Sequence, residues 1–370
     1  MKNKTKLKSR IKEFLKDIFI ISENIIIKLK IIFFTSNTNS NYPKIYYGGS
    51  RKGDNGGPLV KIKKLNKYYP ESKFNFNIVY LQSNSIYLNN STIKLLKRKN
   101  YPIILNQNGI FYEAWYEGDW RKENSKISEA YHLADYVIWQ SEFCKKASEK
   151  FLGKRKGLGC ILYNAIDTNI FIPKKNSLKK HFIFLITCNI RAKSFYRIST
   201  VLEAFNELLK ENKKIHLKIA GNIEDDKDLF NKIRDLKLDE NITFIKSYSQ
   251  KDAPDIYAGA DAYITMAFQD NCPSAVIEAM SCGLPILYSN SGGIPELVDS
   301  NSGIGLKVKA NWKNIEVPSK SDIKNGMKKI IDNKNQMSES ARARAIKYFD
   351  IRDWIKRHNQ IFEESLQNFY

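Results

Sequence analysis

The residues from Asp270 to Glu296 read DNCPSAVIEAMSCGLPILYSNSGGIPE. The apolar run AYITM (262–266) ahead of them reads as a strand, and AFQDNC is the loop at its end. Pro273 suits the first turn of a helix, because it has no N–H to leave unpaired there. The helix SAVIEAMSC stops at Gly283, which tolerates the left-handed conformation of a helix end. ILYS is the next strand and NSGGIPE its loop, so both loops lie at the same edge of one sheet. At that edge the unpaired N–H groups of Ser274 and Ala275, at the positive end of the helix dipole, can hold a phosphate. Glu278 lies one turn along on the face of Ser274, and a carboxylate there can accept two hydrogen bonds from a vicinal diol such as a ribose. Gly292 and Gly293 would let backbone approach a ligand without side-chain obstruction.

Outward from this stretch, apolar strands alternate with helical segments. KIYY (44–47), NIVYL (77–81), PIILN (102–106), YVIWQ (136–140) and CILY (160–163) form one series. HFIFLIT (181–187), IHLKIA (215–220), ITFI (242–245) and AYITM form a second, after the Pro/Lys/Asn-rich segment near 173–180. Such alternation predicts parallel sheets covered by helices on both faces. Two series predict two doubly wound domains, over 42–176 and 177–348, with a C-terminal helix over 349–370. Ligands in these folds bind at the carboxyl ends of the strands, which points to the cleft between the domains.

The 370 residues are 42% hydrophobic and carry a formal charge of +22. That charge prompts thoughts of nucleic acid. The chain is rich in Lys, Asn and Ile throughout, however, and its cations form no stripe beside stacking aromatics, so no nucleic acid is expected. A nucleotide or an anionic lipid surface would satisfy the same charge. Cys144, Cys160, Cys188, Cys272 and Cys282 show no C-x-x-C spacing, which fits a reducing cytoplasm. The four histidines are scattered, and Asp226-Lys227-Asp228 reads as a solvated helix start; no metal site is expected.

Residues 1–41 read as a basic amphipathic extension and linker. Asp17, Glu23, Asn24, Lys28 and Lys30 interrupt its apolar run, which falls short of the about 18 residues of a membrane span. No small-residue cleavage site follows, which disfavours a signal peptide. Leu7, Ile11, Phe14, Leu15, Ile18, Ile25, Leu29 and Ile32 share one helical face. That face suits either a membrane interface or the protein's own core. The polar linker 36–41 tilts the reading towards an anionic membrane reached through residues 1–35.

The motif resembles the retaining glycosyltransferases of family 4, which have the GT-B architecture of two facing Rossmann-like domains. The resemblance rests on Asp270, Glu278-Ala279-Met280, Gly283, Pro285 and Gly292-Gly293. It extends to the N-domain glycine loop GDNGGPLVKIKKL (53–65), to KIAGN (218–222) and to ILYNAIDTNIFIP (161–173). It implies a hexosyltransferase-like enzyme acting on a saccharide or glycolipid acceptor for surface polysaccharide or lipopolysaccharide synthesis. Its place would be the cytoplasm or, peripherally, the inner face of the cytoplasmic membrane. No cofactor is implied beyond a nucleotide-sugar co-substrate such as a UDP- or GDP-sugar. The donor site would comprise Gly56, Gly57, Gly221, Asn271, Pro273, Ser274, Ala275 and Glu278.

Asp270 replaces the usual Glu, and Asn271-Cys272-Pro273 replaces Gly-Phe-Gly. Arg191 matches the family's arginine, whereas Tyr196 occupies the usual lysine position, so Arg197 or Lys193 is expected to supply the second cation. With Asp270 and Glu278 these form the expected catalytic set. The polar, aromatic segment 106–120 suggests Asn106, Asn108 and Glu113 for the acceptor. The C-terminal helix in such proteins crosses back to the N-domain, which would anchor Trp354 at the hinge. A nucleotide-sugar epimerase of the same architecture is the alternative from another enzyme class; a basic nucleic-acid-binding protein rests on charge alone.

Overall fold

The computed structural model describes the whole chain except residues 1, 34–41, 51, 54–56, 175–179, 190–193, 223–226 and 368–370. The first sheet joins β1 (Ile45–Tyr46), β2 (Ile78–Gln82), β3 (Ile103–Gln107), β4 (Tyr136–Trp139) and β5 (Leu158–Ile161) in sequence order, all parallel. Its helices are α1 (Lys2–Phe33), α2 (Gly57–Tyr68), α3 (Asn90–Arg98), α4 (Trp120–Leu133) and α5 (Glu142–Leu152). Polar caps start three of them: Asn89, Asp119 and Ser141 accept from the N–H groups of Thr92, Lys122 and Cys144.

The second sheet is also parallel. It contains β6 (Phe182–Thr187), β7 (Ile215–Ala220), β8 (Ile242–Ile245), β9 (Ala262–Thr265), β10 (Ile286–Asn290) and β11 (Gly303–Lys307), in the order β11-β10-β9-β6-β7-β8. Around it lie α6 (Tyr196–Glu211), α7 (Lys227–Asp235), α8 (Ala253–Ala258), α9 (Ser274–Ser281), α10 (Ile294–Leu297), α11 (Lys320–Asp332) and α12 (Lys334–Phe349). The chain leaves β6 towards β7 and returns on its other side as β9. The crevice between the loops after β6 and β9 is therefore the switch point where doubly wound sheets bind ligands.

The last helix, α13 (Ile351–Gln367), leaves this second layer. Trp354, Ile361 and Phe362 are buried against Ile45, Tyr80 and Ile104 of the first sheet. The crossing is fixed by Ile166, whose N–H bonds Phe349 O at 3.0 Å and whose carbonyl accepts from Ile351 at 2.8 Å.

The extension over residues 1–41 needs correction. The second half of α1 belongs to the first domain's core, where Ile27 and Ile31 are buried. Glu23 accepts from Tyr46 Oη and from Lys73 Nζ, each at 2.6 Å. Asn24 accepts from the Asn89 N–H at 2.8 Å and Thr92 Oγ1 at 2.7 Å. Lys30 bonds Tyr101 Oη at 2.9 Å and sits 3.8 Å above the Phe76 ring. Three of the polar residues that interrupt the apolar run, Glu23, Asn24 and Lys30, thus face the protein. The apolar stripe of Phe14, Leu15, Ile18, Ile25, Leu29 and Ile32 stays exposed. Linker residues 36–41 lie outside the described residues. Among the described residues no helix is long and apolar enough to cross a membrane.

Candidate active site in the interdomain cleft

A cavity of about 900 Å³ opens at the switch point. Gly57, Lys61 and Lys64 of α2 form its wall on the first domain. The opposite wall comes from Thr187–Asn189 after β6, Gly221 after β7, 247–250 after β8, and the start of α9. Gly221 has φ +141°, and a side chain there would meet Cys188 O at 2.1 Å, so glycine lets the two loops cross.

Pro273 occupies the cap position of α9 and supplies no side-chain cap bond. Ser274 and Ala275 line the cavity with the positive end of the helix. Glu278 is buried one turn further on. Burial raises its carboxyl above the ordinary range, while Lys64 across the cleft and a hydrogen bond from Tyr257 work against that rise. Thr187 Oγ1 ties Tyr263 Oη at 2.9 Å to Tyr257 Oη at 3.2 Å, which makes the ground under Glu278 rigid.

Asp270 is not on the cavity wall. Its Oδ1 accepts from the Cys272 N–H at 3.3 Å, and its carbonyl from the Gly293 N–H at 2.8 Å. Burial raises its carboxyl too, and the Arg197 guanidinium opposes this. Burial works against the Arg197 charge as well, but Tyr196 and Asp270 more than offset it and hold its pKa high. The Arg197 Nε–H donates to Tyr196 Oη at 3.2 Å. Of the three expected cations only Arg197 is described; Arg191 and Lys193 lie outside the described residues, as does Gly56.

Asn271 is not on the cavity wall, and its Nδ2 would stand 2.7 Å from a side chain on Gly109. The glycine pair also serves packing. A Cβ on Gly292 would stand 2.4 Å from Asp270 O, and one on Gly293 1.9 Å from Asn271 O. These glycines bring the two loops together, and the close approach expected with a ligand is made with backbone.

Asn106 and Asn108 are buried beneath the cleft. Lys61 Nζ donates to their Oδ1 atoms at 2.9 and 3.2 Å. Asn106 Nδ2 donates to Tyr80 Oη at 2.9 Å, and Asn108 Nδ2 to Gln82 Oε1 at 3.1 Å. These amides hold a lysine instead of presenting themselves to an acceptor, and Glu113 is exposed on a turn away from the cavity. The sequence reading passed over Lys61, Lys64 and Tyr248. The loop after β8 was findable by the same strand-edge rule that located Ser274; Lys61 and Lys64 fall inside the glycine-loop segment 53–65, but nothing set them apart among the 61 Lys and Arg residues. Among the described residues no group of three or more His, Cys, Asp or Glu could hold a metal ion.

Two facing parallel sheets with a cleft at the switch point define the GT-B fold. Residues 167–348 match the family described as glycosyl transferases group 1, and this half of the chain belongs to it. Among solved structures, HepE of Anabaena, solved with UDP and glucose, superposes with a TM-score of 0.63 at 17% identity, over 84% of this chain and 82% of that one. The pneumococcal O-GlcNAc transferase GtfA, solved with UDP and GlcNAc, gives 0.61 at 14%, over 78% and 57%. A probable sucrose-phosphate synthase of Thermosipho melanesiensis is 24% identical over 54% of this chain and 46% of its own length. N-acetyl-alpha-D-glucosaminyl L-malate synthase of Bacillus anthracis is 23% identical over 37% of each. The chain spans about half or less of the length of the curated relatives it matches.

Proposed function

We propose that the chain transfers a sugar from a nucleotide donor to a saccharide or glycolipid acceptor, with retention at the anomeric carbon and without a metal. The observation that carries this reading is the buried Glu278 one turn behind the Ser274–Ala275 helix start, both on one cavity. A ribose diol bound to the carboxylate leaves the diphosphate at the helix N-terminus. The UDP bound by HepE and GtfA supports a UDP-sugar ahead of a GDP-sugar. Arg197, with Arg191 or Lys193, would offset the charge that grows on the departing diphosphate. Asp270 would then orient the donor sugar through its loop.

The exposed stripe of α1 supports work on surface polysaccharide or glycolipid at the inner face of a membrane. A thermal-shift panel of UDP, GDP, ADP and CMP tests the donor, because binding to the native state raises its apparent stability. UDP should give the largest shift, and no shift with any nucleotide would contradict the reading. A product of inverted configuration by NMR, or activity abolished by EDTA and restored by magnesium, would contradict its stereochemical or metal-free part. A donor interconverted without any acceptor would mark an epimerase.

A further inference from the structure

Lys61 is buried on the first-domain wall of the cleft, and among the described residues no carboxylate accompanies it. The titratable groups that face it are Lys64 on its own helix, Cys144 on α5, Cys272 ahead of α9 and His358 on α13. Burial lowers its pKa to about 7. Burial without a counter-charge disfavours the ammonium form, so Lys61 at a ligand cavity is readily charged only when an anion arrives with the ligand.

The support beneath Lys61 has a defined polarity. His358 Nδ1 lies 2.9 Å from Trp354 O, and a carbonyl only accepts, so Nδ1 carries the hydrogen. Burial lowers the His358 pKa to about 3, so the ring is neutral and Nε2 accepts from Tyr80 Oη at 3.1 Å. The Tyr80 oxygen then accepts from Asn106 Nδ2, and this turns Asn106 Oδ1 towards Lys61. The chain Lys61→Asn106→Tyr80→His358→Trp354 runs from the cleft into α13. Asn108 Oδ1 takes a second hydrogen of the ammonium group, which leaves the third for the cavity.

We propose that Lys61 binds an oxyanion, a phosphate or carboxylate group of the cleft ligand, and that Asn106 and Asn108 position it to do so. The proposal rests on reading the cleft as a nucleotide-sugar site. The oxyanion belongs either to the donor diphosphate or to an acidic acceptor. Because free Lys61 is mostly an uncharged amine at pH 8, the anion must draw a proton with it. Binding therefore takes up about one proton at pH 8 and almost none at pH 5.5, where the lysine is already charged.

The test is calorimetry on the full chain at pH 8 in two buffers of different ionisation enthalpy. UDP is titrated first; glucose 6-phosphate and glucose are then titrated into the free and the UDP-bound chain. Proton uptake with UDP assigns the site to the donor, and uptake with glucose 6-phosphate alone assigns it to an acidic acceptor. In either case Lys61→Met should abolish the uptake and weaken that ligand roughly tenfold or more, the scale of a charge-assisted bond. Lys61→Arg, which stays charged, should bind without uptake and guards against a folding defect in Lys61→Met. Both phosphates binding with no proton linked to residue 61, or glucose 6-phosphate behaving as glucose does while UDP shows no uptake, would overturn the proposal. UDP bound without that linkage leaves the nucleotide reading intact, whereas no UDP binding at all counts against that reading.

Discussion

Glu296 caps α5 across the domain boundary: its Oε1 accepts from the Phe143 N–H at 2.8 Å. Its Oε2 accepts from the Glu142 N–H at 2.7 Å and from Tyr163 Oη at 3.2 Å. The carboxylate closing the Asp270–Glu296 stretch thus satisfies unpaired donors at the positive end of a helix in the other domain. Through Gly293 the same loop packs on Asn271, so the cap fixes the motif relative to the first sheet.

Glu296→Ala should therefore loosen the domains. A carboxylate cap of this kind is worth about 1–2 kcal/mol. The Ser141 cap keeps α5 itself formed. Scanning calorimetry should show a lower, broader transition that separates into two. An unchanged single transition would mean that the cap does not couple the domains.

The junction between α12 and α13 is a second tie. Asp350 accepts from Thr168 Oγ1 and, at 2.6 Å, from Arg352 Nε, and these bonds hold its carboxyl well below the usual range. A depressed carboxyl contributes stability that is present above its unfolded pKa of about 4 and is lost as pH falls through the folded value. Asp350→Asn should cost about 1.5–3 kcal/mol at pH 7, the scale of hydrogen bonds to a charged group. That cost should shrink below pH 4. A cost in urea unfolding that stays constant from pH 7 to pH 3 would contradict this.

His358 works in the same direction over a higher pH window. Its folded pKa of about 3 lies below the ordinary 6.5, so the unfolded chain binds a proton that the folded chain refuses. Stability should fall as pH drops from about 6.5 towards 3. Between pH 7.5 and 5.5 the loss from this one group is about 1.4 kcal/mol. His358→Gln should show a correspondingly flatter dependence of urea midpoint on pH; parallel profiles would show that His358 is not the group responsible.

The α1 stripe predicts lipid binding that does not depend on folding. Deleting residues 1–35 would remove Ile27 and Ile31 from the core, so substitutions are the cleaner test. Phe14→Ser with Ile18→Ser alters only exposed positions and should move stability by about 0.5 kcal/mol or less per site. It should also release the protein from sedimenting anionic vesicles. Equal sedimentation of variant and native chain would remove the membrane from the account.

Two parallel sheets were legible because buried strands are continuous apolar runs, as IHLKIA and AYITM are, separated by helical periods. Ser274, Ala275 and Glu278 were legible because strand, loop and helix start follow one another within a single motif. The orientation of α1 was not, because a helix with two usable faces does not say which one the protein covers. Glu23 and Asn24 look like solvated interruptions until Tyr46 and Asn89, far along the chain, supply their partners. The partner of Asn106 and Asn108 was not legible for a related reason: an amide at a strand end can meet a ligand or hold up a neighbour, and their bonds to Lys61 form only in three dimensions.

The central claim, that α9 presents a ribose-binding carboxylate and a diphosphate-binding helix start, is tested most directly at Glu278. Glu278→Gln keeps the shape and removes the charge-assisted acceptor, which is worth ~1.5–3 kcal/mol. Titration calorimetry with UDP should show affinity weakened about tenfold or more in the variant, with its thermal midpoint held or raised, because the buried charge is gone. UDP affinity unchanged by Glu278→Gln would place the nucleotide elsewhere and contradict the account.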